Sequence, residues 1–449
     1  MADKDFQNPD REEEGFTPKE AVAEAKRCLL CKNAPCRKAC PIGNEIPEFI
    51  GALAKGNVGE ASAIIAHRSN LPAVCGRVCP HEKQCEGSCV QTRHGKGIRI
   101  GKLEQFIADF DAEMELTTFT PPPKYSGKVA VIGSGPAGLT VAADCAKAGY
   151  QVTVFESLPE PGGVLLYGIP EFRLPKEVVR REIHRIEKLG VTFKTNVLVG
   201  PDITIDQLFD SGYDAVFIGT GTAMPKTLDI PGKDLPGILQ ATYFLQMVSL
   251  AQAGMVDRKE IPVSLGEQVY VIGAGNVGID AARTALRLGA RATIVARKPE
   301  DKINALKSEY EQAKAENVGF LTLAAPTRFT GEETVDGMEY EELAIDDKGD
   351  IVKTGKIHSV PADKIILAIG QRPAGRIIST TTGIQVNAQG YVVTRDRPYG
   401  MSTRKGVFAG GDVVHEPATV VLAMKEAKKV AQGISMYIDA KKLMEDCGM

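Results

Sequence analysis

Two glycine-rich turns constrain this chain more than any other feature. Lys128 to Ile132 (KVAVI) reads as a short buried strand. Gly133-Ser-Gly135-Pro136-Ala137-Gly138 follows, and then a helical stretch from Leu139 to Ala148. Gly149 stops that helix, and Gln151 to Glu156 reads as a second strand. In such a strand–turn–helix unit the glycines serve the tight turn, the close approach of backbone to a phosphate, and the helix–strand contact. A pyrophosphate would rest on the helix N-terminus. Glu156 stands where a carboxylate meets ribose hydroxyls. The pattern recurs at Gln268 to Ile272, with Gly273-Ala-Gly275-Asn276-Val277-Gly278 and a helix to Leu288. Its second strand, Ala292 to Ala296, ends in Arg297-Lys298 with no acid. A cation in that place favours a ribose 2′-phosphate, and so NADP(H) over NAD(H).

Each unit is followed by a strand that ends in small residues, Ala215 to Gly221 and Lys364 to Gly370. A last strand, Gly406 to Asp412, precedes an alanine-rich helix from about Ala418. The expected fold is α/β, with two Rossmann-like domains, the second inserted in the first. Residues 123–242 and 371–449 are expected to form the first of these domains, which the resemblance described below implies is FAD-binding, and residues 243–370 the NAD(P)-binding domain. Two dinucleotide sites have a chemical reason if single-electron carriers are also present. Nicotinamide moves a hydride, an electron pair, and a flavin can split the pair.

Such carriers are suggested by the front of the chain. Cys28, Cys31, Cys36 and Cys40 fall within thirteen residues, and Pro41 follows the last. Cys75 and Cys79-Pro80 answer them, with Cys85 and Cys89. Of ten cysteines, only Cys145 and Cys447 lie outside this region. Runs of this kind hold [4Fe–4S] clusters, and in two-cluster ferredoxins the cysteine before proline serves the other cluster. Zinc is the alternative, but its sites pair short Cys or His repeats, and no histidine is regularly spaced with these runs. Thr17-Pro18-Lys19-Glu20 opens a helix, Ile46 to Ile65 has helical spacing broken at Gly56-Asn57, and Ile100 opens another. Residues 1–122 are therefore expected to be a helical [4Fe–4S] domain. TTFTPPP, residues 117–123, links it to the first Rossmann-like domain.

The totals remove other classes. A net charge of −3 offers no basic field for nucleic acid. No apolar run reaches the ~18 residues of a transmembrane helix. The N-terminus is acidic and polar, neither signal nor transit peptide, and the cysteine usage fits a cytoplasmic location.

The stretches Cys28–Pro41, Leu71–Pro80 with Cys85–Cys89, Ile100–Glu104, Gly133–Gly138, Pro161–Pro170 with Phe172–Pro175, and Gly410–Asp412 resemble one family across nearly the whole chain. It is the glutamate synthase small (β) subunit-like flavoproteins. These include the large subunit of NADH-dependent ferredoxin:NADP oxidoreductase and the N-terminal part of dihydropyrimidine dehydrogenase. The resemblance implies two clusters with crossed ligation. Cys28, Cys31, Cys36 and Cys89 would hold one. Cys40, Cys79 and Cys85 would hold the other, with Glu104 as fourth ligand. By composition alone Cys75 is the eighth ligand, so Glu104 and Cys75 both stand. The resemblance also implies FAD on Gly133–Gly138 and Glu156, its ring near Gly163, Leu165 and Arg173. Asp412 would take the ribityl–phosphate end, and Thr419-Val420 would face the ring. Gly221 completes that site. Where the family often has Arg-Gly after Gly-Asp, this chain has His415-Glu416. Where the family has Gly-Asp-Gly in the last helix, this chain has Met424-Lys-Glu-Ala-Lys.

The expected function is an electron-input oxidoreductase subunit that takes electrons from NADPH and passes them to a partner, with no side chain acting as acid or base. The partner is a glutamate synthase large subunit, a pyrimidine-reducing subunit or a ferredoxin-linked flavoprotein, in a hetero-oligomer. A reading of another class is a redox-sensing scaffold without turnover.

Overall fold

A computed structural model describes residues 15–116, 126–373 and 380–447. The lead before residue 15 and the proline-rich link lie outside the described residues. The described chain packs as two compact units. One takes in residues 15–166, 173–224 and those from 372 onward, and the other residues 167–172 and 225–371.

The first unit begins with helices α1 (Pro18–Lys26), α2 (Pro35–Ala39), α3 (Ile46–Ala54), α4 (Val58–Ala66), α5 (Pro72–Val78) and α6 (Ile100–Met114). Thr17 caps α1, and Glu20 reaches back to the Thr17 backbone, so two orphan donors are satisfied reciprocally. Proline starts α1, α2 and α5 and falls in the first turn of α3, where its missing N–H costs nothing. Ile46, Phe49, Ile50 and Leu53 of α3 pack with Ile65, Leu103 and Ile107 into one core.

The same unit continues with β1 (Lys128–Ile132), α7 (Pro136–Lys147), β2 (Gln151–Phe155), α8 (Val164–Tyr167), α9 (Lys176–Glu187), β3 (Thr192–Lys194), α10 (Ile205–Asp210) and β4 (Ala215–Ile218). Four of its strands, β15 (Val407–Ala409), β4, β1 and β2, lie parallel in that order, in register from Ile132 to Phe155 and to Ile218. Strand β3 extends the sheet at one edge. At the other stand β14 (Tyr399–Ser402) and β13 (Thr394–Asp396), antiparallel to their neighbours. Val129, Val131, Val152, Val154, Val216 and Phe217 are fully buried, as strands covered on both faces require. The last helix, α14 (Val420–Asp446), packs against α7 and the end of α5.

The two parts of this unit are joined by polar contacts. Glu182 of α9 accepts from the Ala73 N–H in the first turn of α5 at 2.7 Å. Asp109 of α6 accepts from Arg77 and from Arg181.

The second unit holds a parallel sheet ordered β5 (Ile238–Gln240), β12 (Lys364–Leu367), β6 (Gln268–Ile272), β7 (Arg291–Ala296) and β8 (Gly319–Thr322). Helices α11 (Ala241–Gln252), α12 (Asn276–Arg287) and α13 (Lys307–Ala315) belong to it. So does an antiparallel sheet of β9 (Ala324–Thr330), β10 (Gly337–Ile345) and β11 (Ile351–Pro361).

Candidate functional site

The first glycine turn is held by contacts that only glycine permits. Gly133 has φ +93°, and a Cβ there would lie 2.7 Å from the Gly219 carbonyl oxygen. A Cβ on Gly138 would stand 1.9 Å from the Gly133 carbonyl oxygen. Gly135 is different. Its backbone is extended, and a Cβ would meet nothing within 4 Å. The fold does not need glycine there, but a ligand approaching the backbone would.

Two further turns converge on this one. Gly163 (φ +53°) packs its Cα side on Gly135, where a Cβ would come within 2.9 Å of the Gly135 Cα. Gly411 (φ +75°) touches Ala137, the second residue of α7. Pro136 starts that helix, Leu165 is fully buried beneath the turn, and Gly221 borders open space. Thr419 caps α14 by accepting from the Leu422 N–H, and Val420 is its first residue. Burial raises the Asp412 carboxyl above the ordinary aspartate range, with His415 pulling it back.

Glu156, at the end of β2, is buried and already engaged. One oxygen accepts from the Ser134 N–H at 3.0 Å and the Ser134 hydroxyl at 2.5 Å. The other accepts from the Leu158 N–H and the Ser157 hydroxyl. Ser134 also accepts from the Gly162 N–H at 2.8 Å, so it ties three loops together. Sequence patterning passes over Ser134 because it occupies a variable position of the fingerprint.

The second glycine turn repeats the geometry. A Cβ on Gly278 would stand 1.9 Å from the Gly273 carbonyl oxygen, and one on Gly275 would meet nothing within 4 Å. Asn276 accepts from the Leu306 N–H, which fixes the turn from behind. Val277 is half exposed at the helix start. Arg297 and Lys298 are both exposed beyond β7, and Lys298 donates to Asn304. Behind this sheet Arg283 is buried against Glu316, which it meets through two hydrogen bonds, and its guanidinium lies 4.6 Å from the Phe172 ring centroid. A cavity of about 410 Å³ is lined by Pro170, Phe172, Leu245, Val248, Thr284 and Leu288. It is apolar and contains none of the site residues expected from sequence.

The cysteines form two groups. Cys28, Cys31, Cys36 and Cys89, drawn from two separate runs, line one cavity of about 380 Å³ with Ile46, Ile50 and Ile98. Burial pushes the Cys28 thiol up and Cys36 up to about 11. The second group lies deeper. Burial raises Cys40 to about 11 and Cys85 further. A hydrogen bond with Cys75, together with burial, raises Cys79. Glu104 of α6, raised to about 8 by burial with Glu182 adding to it, acts electrostatically on Cys40, Cys79 and Cys85. Asn44, also buried, donates to a Glu104 oxygen at 3.2 Å. No pattern in the sequence marks Asn44.

Buried acids gathered in this way are penalised when ionised, and a polycationic guest removes the penalty. Among the described residues no three Cys, His, Asp or Glu converge as a single ion would need. A four-iron cube spreads its thiolates more widely than zinc does. The donor sets fit clusters, and the open backbone at Gly135 and Gly275 fits two dinucleotides.

Comparison with known proteins agrees with this arrangement. Residues 5–116 match the family described as dihydropyrimidine dehydrogenase domain II, 4Fe-4S cluster, and residues 127–427 match the pyridine nucleotide-disulphide oxidoreductases. The glutamate synthase [NADPH] small chain of Halomonas elongata is 36% identical over 443 residues, covering 95% of this chain and 92% of that one. The chain belongs to the glutamate synthase small-chain-like family. As a member it is an oxidoreductase of the pyridine-nucleotide, flavin and iron–sulfur kind. The Escherichia coli K12 subunit PreT of NAD-dependent dihydropyrimidine dehydrogenase is 35% identical, covering 94% of this chain and 96% of that one. Among solved structures, Mycobacterium tuberculosis FprA in complex with NADPH shares the fold, with TM-score 0.57 and 21% identity over 70% of this chain and 85% of that one. No helix among the described residues is long and apolar enough to cross a membrane.

Proposed function

We propose that this oxidoreductase is the electron-input subunit of a larger cytoplasmic redox complex, with NADPH as donor and FAD and two [4Fe–4S] clusters as cofactors. The observation that carries the reading is the meeting of Cys28, Cys31 and Cys36 with Cys89 around one cavity. Two distant runs converge there, as crossed ligation requires. A bound FAD would supply the conversion between the electron pair of a nicotinamide hydride and the single electrons that iron–sulfur clusters carry.

The chain's own residues bind and orient. Gly133, Gly135, Pro136, Ala137, Gly138 and Glu156 would take the adenosine and pyrophosphate of FAD. Gly163, Leu165, Arg173 and Gly221 would flank its ring, with Asp412, Thr419 and Val420 completing the site. The α14 N-terminus favours negative charge beside it. Gly273, Gly275, Asn276, Val277 and Gly278 would cradle NADPH, with Arg297 and Lys298 on its 2′-phosphate. Cys40, Cys79, Cys85 and Glu104 would hold the second cluster. In this reading the chain has three functional parts, 1–122, 123–242 with 371–449, and 243–370.

The partner is read as a glutamate synthase large subunit. A pyrimidine-reducing partner is the second reading, because the PreT relative is nearly as similar as the glutamate synthase small chain.

Anaerobic titration of the purified protein with NADPH, and separately NADH, tests the core of the proposal. Bleaching of the flavin and then of the broad iron–sulfur band, with about eight irons and eight sulfides per chain, is expected. Failure of both nucleotides to bleach the flavin, or zinc in place of iron, would sink it in favour of a scaffold. Co-purification identifies the partner.

A further inference from the structure

We propose that the surface over Cys28, Cys31, Cys36 and Cys89 is the electron outlet of this chain and that it docks the acidic face of a partner electron carrier. The inference rests on the reading of these four cysteines as the ligands of one cluster.

Leu29 and Leu30 stand between Cys28 and Cys31 and are 58% and 51% exposed. Leu29 also lines the cavity that the four cysteines share, so one side chain reaches from that cavity to solvent. Leu30 has φ +48°, a left-handed conformation that strains a leucine and that glycine or asparagine adopts readily. The strain holds an apolar side chain half in water, which folding alone does not favour. Electron transfer weakens steeply with separation, so an outlet belongs where a cluster lies just under the surface. None of Cys28, Cys31, Cys36 and Cys89 is fully buried, whereas Cys85 and Glu104 of the other set are.

The rim around these leucines is basic. The chain has a net charge of −3, yet residues 25–44 hold five Lys and Arg, residues 89–100 hold three, and neither stretch has an Asp or Glu. The fold lays the two stretches side by side. Arg27 donates to the Lys96 carbonyl at 2.6 Å, and Gln91 donates to the Arg27 carbonyl at 3.1 Å. Acids from neighbouring segments are already engaged. Glu24 accepts from Arg27 at 2.7 Å and from the Arg99 N–H at 2.9 Å, Glu48 pairs with Arg37, and Glu86 accepts from the Gly101 N–H at 2.8 Å. Lys26, Lys32, Lys38, Arg93 and Lys96 are exposed. An apolar centre inside a charged rim is how protein interfaces are built, and a rim of one sign selects the opposite sign and speeds encounter. Nucleic acid would use the cations but not the leucines. On docking, the cluster is oxidised by one electron and the partner's cofactor is reduced by that electron, with no bond or proton moved.

The test follows NADPH-driven reduction of two one-electron haem proteins by the holoprotein, cytochrome b5 with its acidic face and cytochrome c with its basic one. With wild type, the second-order rate constant for cytochrome b5 should fall about tenfold from low to physiological salt, and that for cytochrome c should not fall. Lys32→Glu combined with Lys38→Glu should lower the cytochrome b5 rate about tenfold at low salt and raise the cytochrome c rate. Lys259→Glu combined with Lys348→Glu, at exposed positions of the second unit, changes the net charge equally and should leave both rates close to wild type. If the first double variant does not fold, the salt dependence of the wild type decides. A cytochrome b5 rate insensitive to salt, unchanged by Lys32→Glu with Lys38→Glu, or lowered equally by the control pair would overturn the proposal. So would tight binding of duplex DNA at physiological salt that Lys32→Glu with Lys38→Glu abolishes, which would give the face to nucleic acid. Bleaching of flavin and clusters by NADPH is read on the same samples. Where bleaching is intact, these outcomes remove the outlet alone. Where it is absent in wild type, the electron-input reading falls and the outlet with it.

Discussion

Two alanine substitutions three residues apart should fail in opposite ways. At Gly138 an added Cβ would lie 1.9 Å from the Gly133 carbonyl oxygen and 3.4 Å from Val131. The oxygen is backbone, held in a turn that is itself pinned against Gly219, so it cannot swing aside. Overpacking of this kind costs ~1–3 kcal/mol or more. Alanine's better helix propensity returns up to ~1 kcal/mol, and the 1.9 Å approach to rigid backbone puts the overpacking at the top of its range, so the net loss is roughly 2 kcal/mol. At ~2–4 °C per kcal/mol, the Gly138→Ala melt should fall by roughly 4–8 °C even without flavin. Gly135 has φ −69° and ψ −177°, which any residue adopts, and its Cβ would meet nothing within 4 Å. Flavin-free Gly135→Ala should therefore melt within about 1 °C of flavin-free wild type, since surface changes of this sort stay within ~0.5 kcal/mol. Its flavin is another matter. A methyl group on the face left open for a pyrophosphate should leave the purified protein largely without flavin, its remaining colour that of the clusters. The holo melt should then lose the stabilisation that ligand binding supplies, ~2.7 kcal/mol at a hundredfold excess over Kd. Melting curves of flavin-stripped and reconstituted samples, with flavin read from absorbance, separate the cases. Gly135→Ala retaining a full complement of FAD would refute the reasoning. So would a flavin-free Gly135→Ala melt as low as that of Gly138→Ala.

The second turn should behave in parallel: Gly275→Ala keeps its flavin and its fold but raises the KM for NADPH. Removing Arg297 should weaken NADPH by ~1.5–3 kcal/mol, about ten- to hundredfold, the usual worth of a charged hydrogen bond, and leave NADH little changed in steady-state kinetics. Arg283→Ala empties a buried guanidinium site and leaves Glu316 to Arg287 alone, so thermal unfolding should show a loss of ~1–3 kcal/mol, whereas Arg283→Met should recover part of it. Burial alone would raise the Glu316 carboxyl, but Arg283 and Arg287 overcome this and hold it below 4.5. Its folded value is thus depressed, and the unfolded chain binds more protons as pH falls. The stability from this trio is complete above about pH 4.5 and is lost on acidification through the lowered value. Glu316→Gln should flatten that acid limb in melts across pH.

Much of this architecture is legible in the sequence because its punctuation is chemical. Gly149 after an apolar run, Pro18 after Thr17, and the two strand–glycine–helix units are local signals, and the elements begin and end within a few residues of them. The antiparallel sheet of β9 to β11 left no such mark. Strand β11 (IVKTGKIHSVP) is mostly exposed and carries lysines, a serine and a glycine, so it lacks the alternation that announces a half-buried strand. The site divides the same way. A cysteine announces itself by type, but the grouping of Cys89 with Cys28, Cys31 and Cys36 is implied only by the family resemblance, since no spacing within one run contains it. Ser134, Asn44 and Phe172 are ordinary residues whose importance comes from partners 22, 60 and more than 100 positions away. No window of sequence contains both halves of such a contact. Glu156 lies between these cases. Its type and its distance from Gly133 are readable, but not the four protein donors that surround it. Those donors alter its role. A carboxylate whose oxygens each already accept two hydrogen bonds, from Ser134, Ser157 and Leu158, meets a ribose hydroxyl only if one of these donors gives way. It therefore shapes the turn before any cofactor arrives, so Glu156→Gln should impair apoprotein stability as well as flavin affinity.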